Sequence, residues 1–440
     1  MSINLEIKLP AEVNYIIKEL NANSFKAYIV GGCVRDSILG KQPKDWDIST
    51  SATPGEMKFL FNKTIDTGIK HGTVTVVLNN QNIEVTTFRT NLTQNDVSLT
   101  TDLSLRDLTM NSIAFHPSEG LYDPHYGIED IKNKVIRAVG NPSDRFKEDP
   151  LRMLRAVRFS ATLGFDIEKS TLDAIASNCS LIKSVSQERI KDELTKILVS
   201  DQPFKFNVLR DTGILKHILP EFDRCFDIDQ NHPYHIFDVA KHSLLAVSQI
   251  ENEVFLRWTM LLHDTGKALT KSTDQEGIDH FYGHPDKSTE IAKTVLERLK
   301  FDNKTITTVC HLIKYHDRRI KPDYRSVRKA ASKIGTDSFL DLLKVQEADK
   351  KSQNPDFLNS SLQDLLKIAE IYNNIIKDGQ CLCIKDLQIN GEDLVSIGYK
   401  QGKEIGHILQ KLLDFILEKP ELNTYDNLIE LAKSYKDCDK

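Results

Sequence analysis

The 440-residue sequence predicts an α+β protein: a small head built on a mixed sheet with helices, followed by a long, mostly helical body. Three observations carry this. β-rich runs alternate with short helical segments only before Gly140. From Asn141 onward, apolar residues recur at helical spacing to the end of the chain. Hydrophobic residues make up 40% and charged residues 28%, the balance of a globular chain.

In order along the chain, "AEVNYIIKELNAN" has the spacing of an amphipathic helix. "AYIV" reads as a strand that ends at Gly31-Gly32. "TVTVVL" and "IEVTTF" read as strands, with Asn79-Asn80-Gln81-Asn82 as the hairpin turn between them. "EDPLRMLRAVRFSATLGF" and "SQERIKDELTKILV" read as helices. Breaks near Gly140-Asn141-Pro142, Pro220 and Gln353-Asn354-Pro355 divide the chain into 1–139, 140–220, 221–352 and 353–440.

The formal net charge is -5, so any RNA-binding surface must gather its positive charge locally. No run of 18 apolar residues is present, and the N-terminus lacks a basic start and apolar core, so neither a membrane span nor a signal peptide is expected. The seven cysteines are scattered, with Cys381 and Cys383 spaced C-x-C. That pattern predicts reduced thiols in a cytoplasmic protein rather than a disulfide framework or zinc knuckle.

The chemistry of the head is concentrated in "YIVGGCVRDSILGKQPKDWDIST", Tyr28 to Thr50. On a strand, Asp45 and Asp47 would face the same side. Two such carboxylates repel unless a cation lies between them, and magnesium prefers oxygen ligands while leaving positions for substrate phosphates. Glu84, on "NIEVTTF", offers a third carboxylate on a strand that could run alongside. Three carboxylates there could hold two magnesium ions for phosphoryl transfer. Gly31 and Gly32, lacking Cβ, would let phosphates approach backbone N–H groups where a helix opens. Taken singly, the acid pair and the glycine pair fit a tight turn beside solvated aspartates equally well. Their order, together with Glu84, favours the metal reading.

This stretch resembles the head motif of the class II tRNA nucleotidyltransferase and bacterial poly(A) polymerase family, within the polymerase-beta-like superfamily. "LRDLTMNSIAF" is similar to its second motif, "LYDPHYGIEDIKNKVIRAVG" to the link that follows, and "EDPLRMLRAVRF" and "SQERIKDEL" to its two neck motifs. The resemblance implies Asp45, Asp47 and Glu84 as catalytic, with Gly31, Gly32 and Arg35 at the nucleotide, and Arg106 and Asp107 at its ribose. It makes 1–139 the catalytic head and 140–220 a neck that reads the base. There, Asp149 and Arg152 lie three apart, one side chain accepting hydrogen bonds and the other donating them. Such a pair can select cytosine and adenine over uracil, whose carbonyl would face the aspartate. Arg155 and Arg158 extend the stripe toward the triphosphate or primer end, and Glu188 and Arg189 are expected to brace the helix. Without the resemblance, a solvated basic face fits the same spacing.

"AKHSLLAV", "LLHDTGKA", "GHPDKS", "IKYHD" and "VQEADK" resemble, in order, the HD superfamily of metal-dependent phosphohydrolases. The implied ligands of a divalent transition metal are His242, His263, Asp264 and Asp349, with His284 and His316 for a second ion. His280, His232 and His235 are weaker candidates, and His311 is expected to be structural. Arg318, Arg319, Lys321, Arg325, Arg328, Lys329 and Lys333 form a basic cluster, either an RNA-backbone surface or a solvated helix face. Segment 353–440 resembles the family's tRNA-holding tail, with Gly398, Gly402 and Gly406 spaced for close helix approach.

The resemblance therefore implies template-independent addition of the CCA end to tRNA lacking it, from CTP and ATP. Between "TTFR" and "RDLT" the sequence has only "TNLTQNDVSLTTDLSL", shorter than the family's flexible loop, which suggests a variant adding CC only. The alternatives are a poly(A) polymerase, disfavoured by the sequence pI of about 6.2, and an HD phosphohydrolase acting on RNA ends or cyclic phosphates with an RNA-binding head.

Overall fold

Val13, Ile16, Ile17 and Leu20 recur at the spacing of one helix face, and all four are buried on α1 (Ala11–Ala22). Each such side chain contributes about 1.5–3 kcal/mol on full burial. The structure, a computed structural model, describes residues 7–69, 72–89, 97–234 and 236–438. The fold is α+β, and the chain divides into two compact units, 1–218 and 219–440.

In the first unit, seven strands form one mixed sheet: β1 (Ala27–Val30), β2 (Asp47–Thr50), β3 (Thr64–Gly68), β4 (Thr73–Leu78), β5 (Gln81–Thr87), β6 (Ala114–His116) and β7 (Gly120–Tyr122). Their order is β3-β4-β5-β2-β1-β6-β7. Within this sheet, among the described residues, only β2 and β5 pair in parallel, in a register that sets Asp47 opposite Glu84. The β4–β5 hairpin turns on Asn79 and Asn80 alone, both at positive φ (47° and 63°). A two-residue hairpin turn requires that conformation, and asparagine tolerates it. Gln81 and Asn82, expected in the turn, are already paired with Leu78 and Val77.

Helices α2 (Gly32–Ile38), α3 (Pro54–Leu60), α4 (Leu99–Ser104) and α5 (Gly127–Lys132) complete the head. The helices α6 (Pro142–Glu148), α7 (Leu151–Leu163), α8 (Lys169–Asn178), α9 (Gln187–Leu198), α10 (Phe206–Asp211) and α11 (Leu215–Ile218) follow. α6 packs on α8 and α7 on α9.

The second unit is helical. Its longer helices are α12 (Val239–Gln249), α13 (Val254–Leu262), α14 (His284–Arg298), α15 (Asn303–Tyr315), α16 (Tyr324–Ile334), α17 (Thr336–Lys351), α18 (Leu358–Lys377), α19 (Lys403–Ile416) and α20 (Tyr425–Cys438). Trp258 is fully buried on α13, with Phe301 edge-on at 5.2 Å. Among the described residues, no helix is long and apolar enough to cross a membrane.

Two expectations for this unit change. Three of the seven residues of the basic cluster are engaged within the unit. Arg325 and Lys329 both pair with Glu418, and Arg328 is buried against the Leu417 carbonyl oxygen. Gly398 and Gly402 serve turns at positive φ (90° and 113°), not helix packing, and Gly406 has open space where a Cβ would stand.

Candidate active site

β1 ends at Val30, and Gly31 (φ 81°) turns the chain directly into α2. A Cβ at Gly31 would lie 2.9 Å from Arg106 Nη1 and 3.8 Å from Asp47 Oδ2. Glycine is required there on both counts, conformation and space. A cavity of about 570 Å³ in the first unit is lined by Val30 at the end of β1, but by neither Gly31 nor Gly32. Asp47, Ser49, Glu84, Arg89, Leu105, Arg106, Glu148 and Arg152 are among its lining residues.

Burial, then the charge of Glu84, raises the Asp47 carboxyl above the ordinary carboxylate range. Arg106 opposes the rise and Asp45 adds to it. Asp45 is exposed on the bend before β2, not on the strand, and does not line the cavity. With β1 turning away at Gly31, that side of the sheet has no pairing partner for it. Among the described residues, the acid and histidine groups with all ligand atoms within 4.8 Å of one another lie in the second unit, and Asp45, Asp47 and Glu84 form no such group. The two acids paired across β2 and β5 meet at the cavity, and the third stands off.

Arg106 is anchored by the fully buried Asp102, to which Nε and Nη2 donate at 3.2 and 3.0 Å, and Nη2 also donates to Ser49 Oγ at 3.1 Å. Arg152 donates to Glu148 and to the Leu105 carbonyl oxygen, both at 3.0 Å. Asp149, expected beside Arg152 on one helix, instead sits in extended backbone (φ -144°, ψ 100°) between α6 and α7. Pro150 follows it, and the residue before a proline is driven out of the helical region. Its carboxylate is held bidentately by Arg189, at 2.7 and 3.3 Å.

The remaining expected nucleotide contacts are turned inward. Arg35 donates to Asn111 Oδ1 and Asp36 Oδ1, and its guanidinium lies over the Phe159 ring. Arg158 pairs with Glu193 and covers the same ring at 3.4 Å. Asp107 is buried and accepts two bonds from Arg155, with Asn111 and the Leu108 N–H on its other oxygen. Burial acts to raise the Asp107 carboxyl, but Arg155 and these donors hold it well below the usual range. None of these four lines the cavity. Arg89, Glu148 and Asp102 were missed in the sequence; the partners of Arg89 lie farther along the chain, whereas Asp102–Arg106 and Glu148–Arg152 are (i, i+4) pairs whose spacing could have signalled two of them.

The second unit gathers the six HD-like residues. His242 Nε2 lies 2.9 Å from Asp349 Oδ1, and His263 Nε2 lies 3.3 and 3.4 Å from Asp264 and Asp349. His284 and His316 approach Asp264 Oδ1 at 3.4 and 3.6 Å. All four rings present Nδ1 to a backbone carbonyl oxygen, of Ser352, Met260, Phe281 and Ile313. A carbonyl only accepts, so each Nδ1 carries a proton and each Nε2 is turned toward the acids, the orientation that metal-ligating histidines take. His263 Nε2 is buried with no hydrogen-bond partner. Burial opposes charging His263, but Asp264 and Asp349 push its pKa up to about 10. His232 and His280 line the adjoining cavity of about 650 Å³, with Arg318 and Arg319. His311 donates to the Ile334 carbonyl oxygen. His235 lies outside the described residues, as do residues 90–96 of the short segment after "TTFR".

Residues 27–137 match the family model for the poly A polymerase head domain, 164–226 that for the Probable RNA and SrmB-binding site of polymerase A, and 272–432 that for tRNA nucleotidyltransferase domain 2. The chain is 32% identical over 438 residues to the CCA-adding enzyme of Enterococcus faecalis, covering 96% of this chain and 95% of the relative. The chain belongs to the class II tRNA nucleotidyltransferase family. A second relative, the CCA-adding enzyme of Ligilactobacillus salivarius, is 34% identical over 440 residues, 95% of each chain. Among solved structures, the Bacillus stearothermophilus CCA-adding enzyme in complex with CTP superposes with a TM-score of 0.76 at 27% identity, over 98% of this chain and 99% of that one. The Thermotoga maritima CCA-adding enzyme complexed with tRNA shares the fold, at a TM-score of 0.59 and 21% identity, over 97% of this chain and 96% of that one. As a member of the class II tRNA nucleotidyltransferase family, the chain is a nucleotidyltransferase.

Proposed function

We propose that this chain adds the CCA end to tRNA lacking it, from CTP and ATP and without a nucleic-acid template, in the cytoplasm. The observation that carries this is the in-register pair Asp47 and Glu84, facing Arg106 and Arg152 across one cavity. The CCA-adding relatives matched over almost the whole chain support the substrate assignment.

The raised carboxyl of Asp47, crowded by Glu84 and Asp45, is the mark of an anionic site that a cation would relieve. Asp47 and Glu84, joined by Asp45 from the bend before β2, would hold magnesium, which when bound lowers the pKa of the attacking hydroxyl and steadies the triphosphate. The chain's own residues then do the positioning. Gly31 and Gly32 leave room for phosphate beside the backbone. Arg106, fixed by Asp102, presents its guanidinium to the nucleotide. Asp149, oriented by Arg189, accepts from the exocyclic amine of cytosine or adenine, and Arg152 donates to the same base. Uracil would set a carbonyl against the Asp149 carboxylate, and a site built on such bonds rejects it.

A narrower version, addition of CC only, is favoured by the short segment 90–105. Incubating the chain with tRNA lacking its 3′ end, CTP and ATP separates the two, since a CCA product rules out the narrower one. We also propose a divalent transition-metal centre in the second unit. The inward Nε2 atoms of His242, His263, His284 and His316, with Asp264 and Asp349, fit such an ion. An ion held there would supply a Lewis acid for phosphoester hydrolysis.

A further inference from the structure

Gln346 is buried on α17, three residues before Asp349, so the two share a helix face, and both line the second-unit cavity of about 650 Å³. Its amide nitrogen makes two bonds. Nε2 donates to the His316 carbonyl oxygen at 3.1 Å and to the Arg318 carbonyl oxygen at 2.9 Å. An amide NH2 has two hydrogens, so both are used. The turn that they hold leaves α15 just after Tyr315, and Arg318 N–H closes it by donating to the Tyr315 carbonyl oxygen at 3.0 Å. This turn carries His316, whose Nε2 faces Asp264, and two residues later Arg318, which lines the same cavity as Asp264, His284 and Asp349. Arg325, Arg328 and Lys329 of the basic cluster are engaged elsewhere, whereas Arg318 and Arg319 belong to this cavity.

We propose that Arg318 binds the phosphoryl oxygens of a phosphoester held at the second-unit centre, and that Gln346 is the residue that positions it. This rests on the metal-centre reading of the same cavity. The charges agree with it. Asp264 and Asp349 belong to the ligand set, and Asp264 is also paired with Lys267 at 2.7 Å. Asp279 is paired with Lys271 at 2.8 Å. The lining acids that remain are Asp317 and Asp364, against Arg318, Arg319 and Lys350. A divalent ion on Asp264 and Asp349 would add positive charge beside them, and an oxyanion suits both the ion and the arginine. Guanidinium matches a phosphoryl group through its fixed fork of donors. That fork selects a geometry only if its root is fixed relative to the metal ligands. Gln346 supplies this, because one buried amide ties the backbone of Arg318 to that of His316.

The test uses the full chain, its Arg318→Ala, Arg318→Lys and Gln346→Met variants, and the Arg318→Ala, Gln346→Met double variant. Each is loaded with Co2+, whose visible absorption reports on its ligands, and bound metal is counted by elemental analysis. Inorganic phosphate is then titrated in, followed by that absorption and by calorimetry. A lost charge-assisted hydrogen bond predicts phosphate binding weakened by about tenfold or more in Arg318→Ala, with Co2+ per chain unchanged. Arg318→Lys should recover part of the loss, because charge remains without the fork. Gln346→Met should weaken phosphate in the same direction. The double variant should bind phosphate no more weakly than Arg318→Ala alone, since Gln346 acts through Arg318. Additive losses overturn the positioning role. Unchanged phosphate affinity in Arg318→Ala overturns the proposal, as does a loss that only follows lost Co2+, or one confined to tRNA binding, which would mark an RNA-backbone contact. If the unmodified chain takes up Co2+ but phosphate changes neither signal, only this proposal fails. A folded unmodified chain that takes up no Co2+ overturns the metal-centre reading with it.

Discussion

Replacing Arg155 by Met tests whether this arginine braces the fold rather than touches substrate. Its Nε and Nη2 each lie 2.7 Å from Asp107 Oδ2, and Asp107 is only 8% exposed. After the change, Asn111 and the Leu108 N–H still serve Oδ1, but Oδ2 loses its charged partner. Orphaning one member of a buried pair costs about 3–5 kcal/mol. The Arg155 side chain is 33% exposed, so water softens the loss and the low end, about 3 kcal/mol, is expected. Urea unfolding at pH 7 reads this as a midpoint shift of about 1 M. The pH dependence follows from the depressed carboxyl of Asp107. A depressed carboxylate contributes stability above its unfolded value, about 3.9, and loses it as pH falls through the folded value. The deficit of Arg155→Met is therefore full at neutral pH and shrinks in acid, once Asp107 is protonated. Adding Asp107→Asn removes the orphaned charge and should recover part of the loss. A variant within about 1 kcal/mol of the parent, or a double variant no more stable than the single one, refutes the reasoning.

Three other outcomes follow. Asp47→Asn should cut nucleotide incorporation by about a thousandfold, the equivalent of several kcal/mol of lost charge stabilisation. In chelator the same variant should melt at a higher temperature, because a carboxyl with a raised folded pKa costs stability once pH exceeds its unfolded value; a lower melting temperature contradicts this. Arg189→Ala frees the Asp149 carboxylate and should reduce discrimination of CTP over UTP by about tenfold, the worth of one charged hydrogen bond; unchanged selectivity in single-nucleotide assays argues against the brace. His263→Ala should lower transition metal bound per chain, read by elemental analysis, while CTP incorporation persists, and equal metal content in both proteins counts against the second-unit centre.

The parts of the head that were legible in the sequence are those set by local rules. The run "AYIV" ending in two glycines gave β1 and the turn into α2, and alternation in "NIEVTTF" gave the strand that carries Glu84 opposite Asp47. The six HD-like residues come together because their motifs fall on successive packed helices and their ends. What could not be read depends on partners far along the chain or on backbone breaks. Asp45 misses the strand because β1 turns away at Gly31, and Asp149 misses the helix because Pro150 follows it. The resemblance places Arg35 at the nucleotide and Arg158 toward the triphosphate or primer end, and in the structure both lie over Phe159. Arg89 carried no motif, since Asp102 and Leu105, which it meets in space, lie 13 and 16 residues along the chain.

The most direct measurement extends labelled tRNA lacking its 3′ end with CTP and ATP, resolved at single-nucleotide steps, for the unmodified chain and an Asp47→Ala, Glu84→Ala variant shown to be folded. Stepwise growth by the unmodified chain and none by the variant is the predicted result. Growth that survives loss of both carboxylates, or a folded unmodified chain that adds nothing, would contradict it.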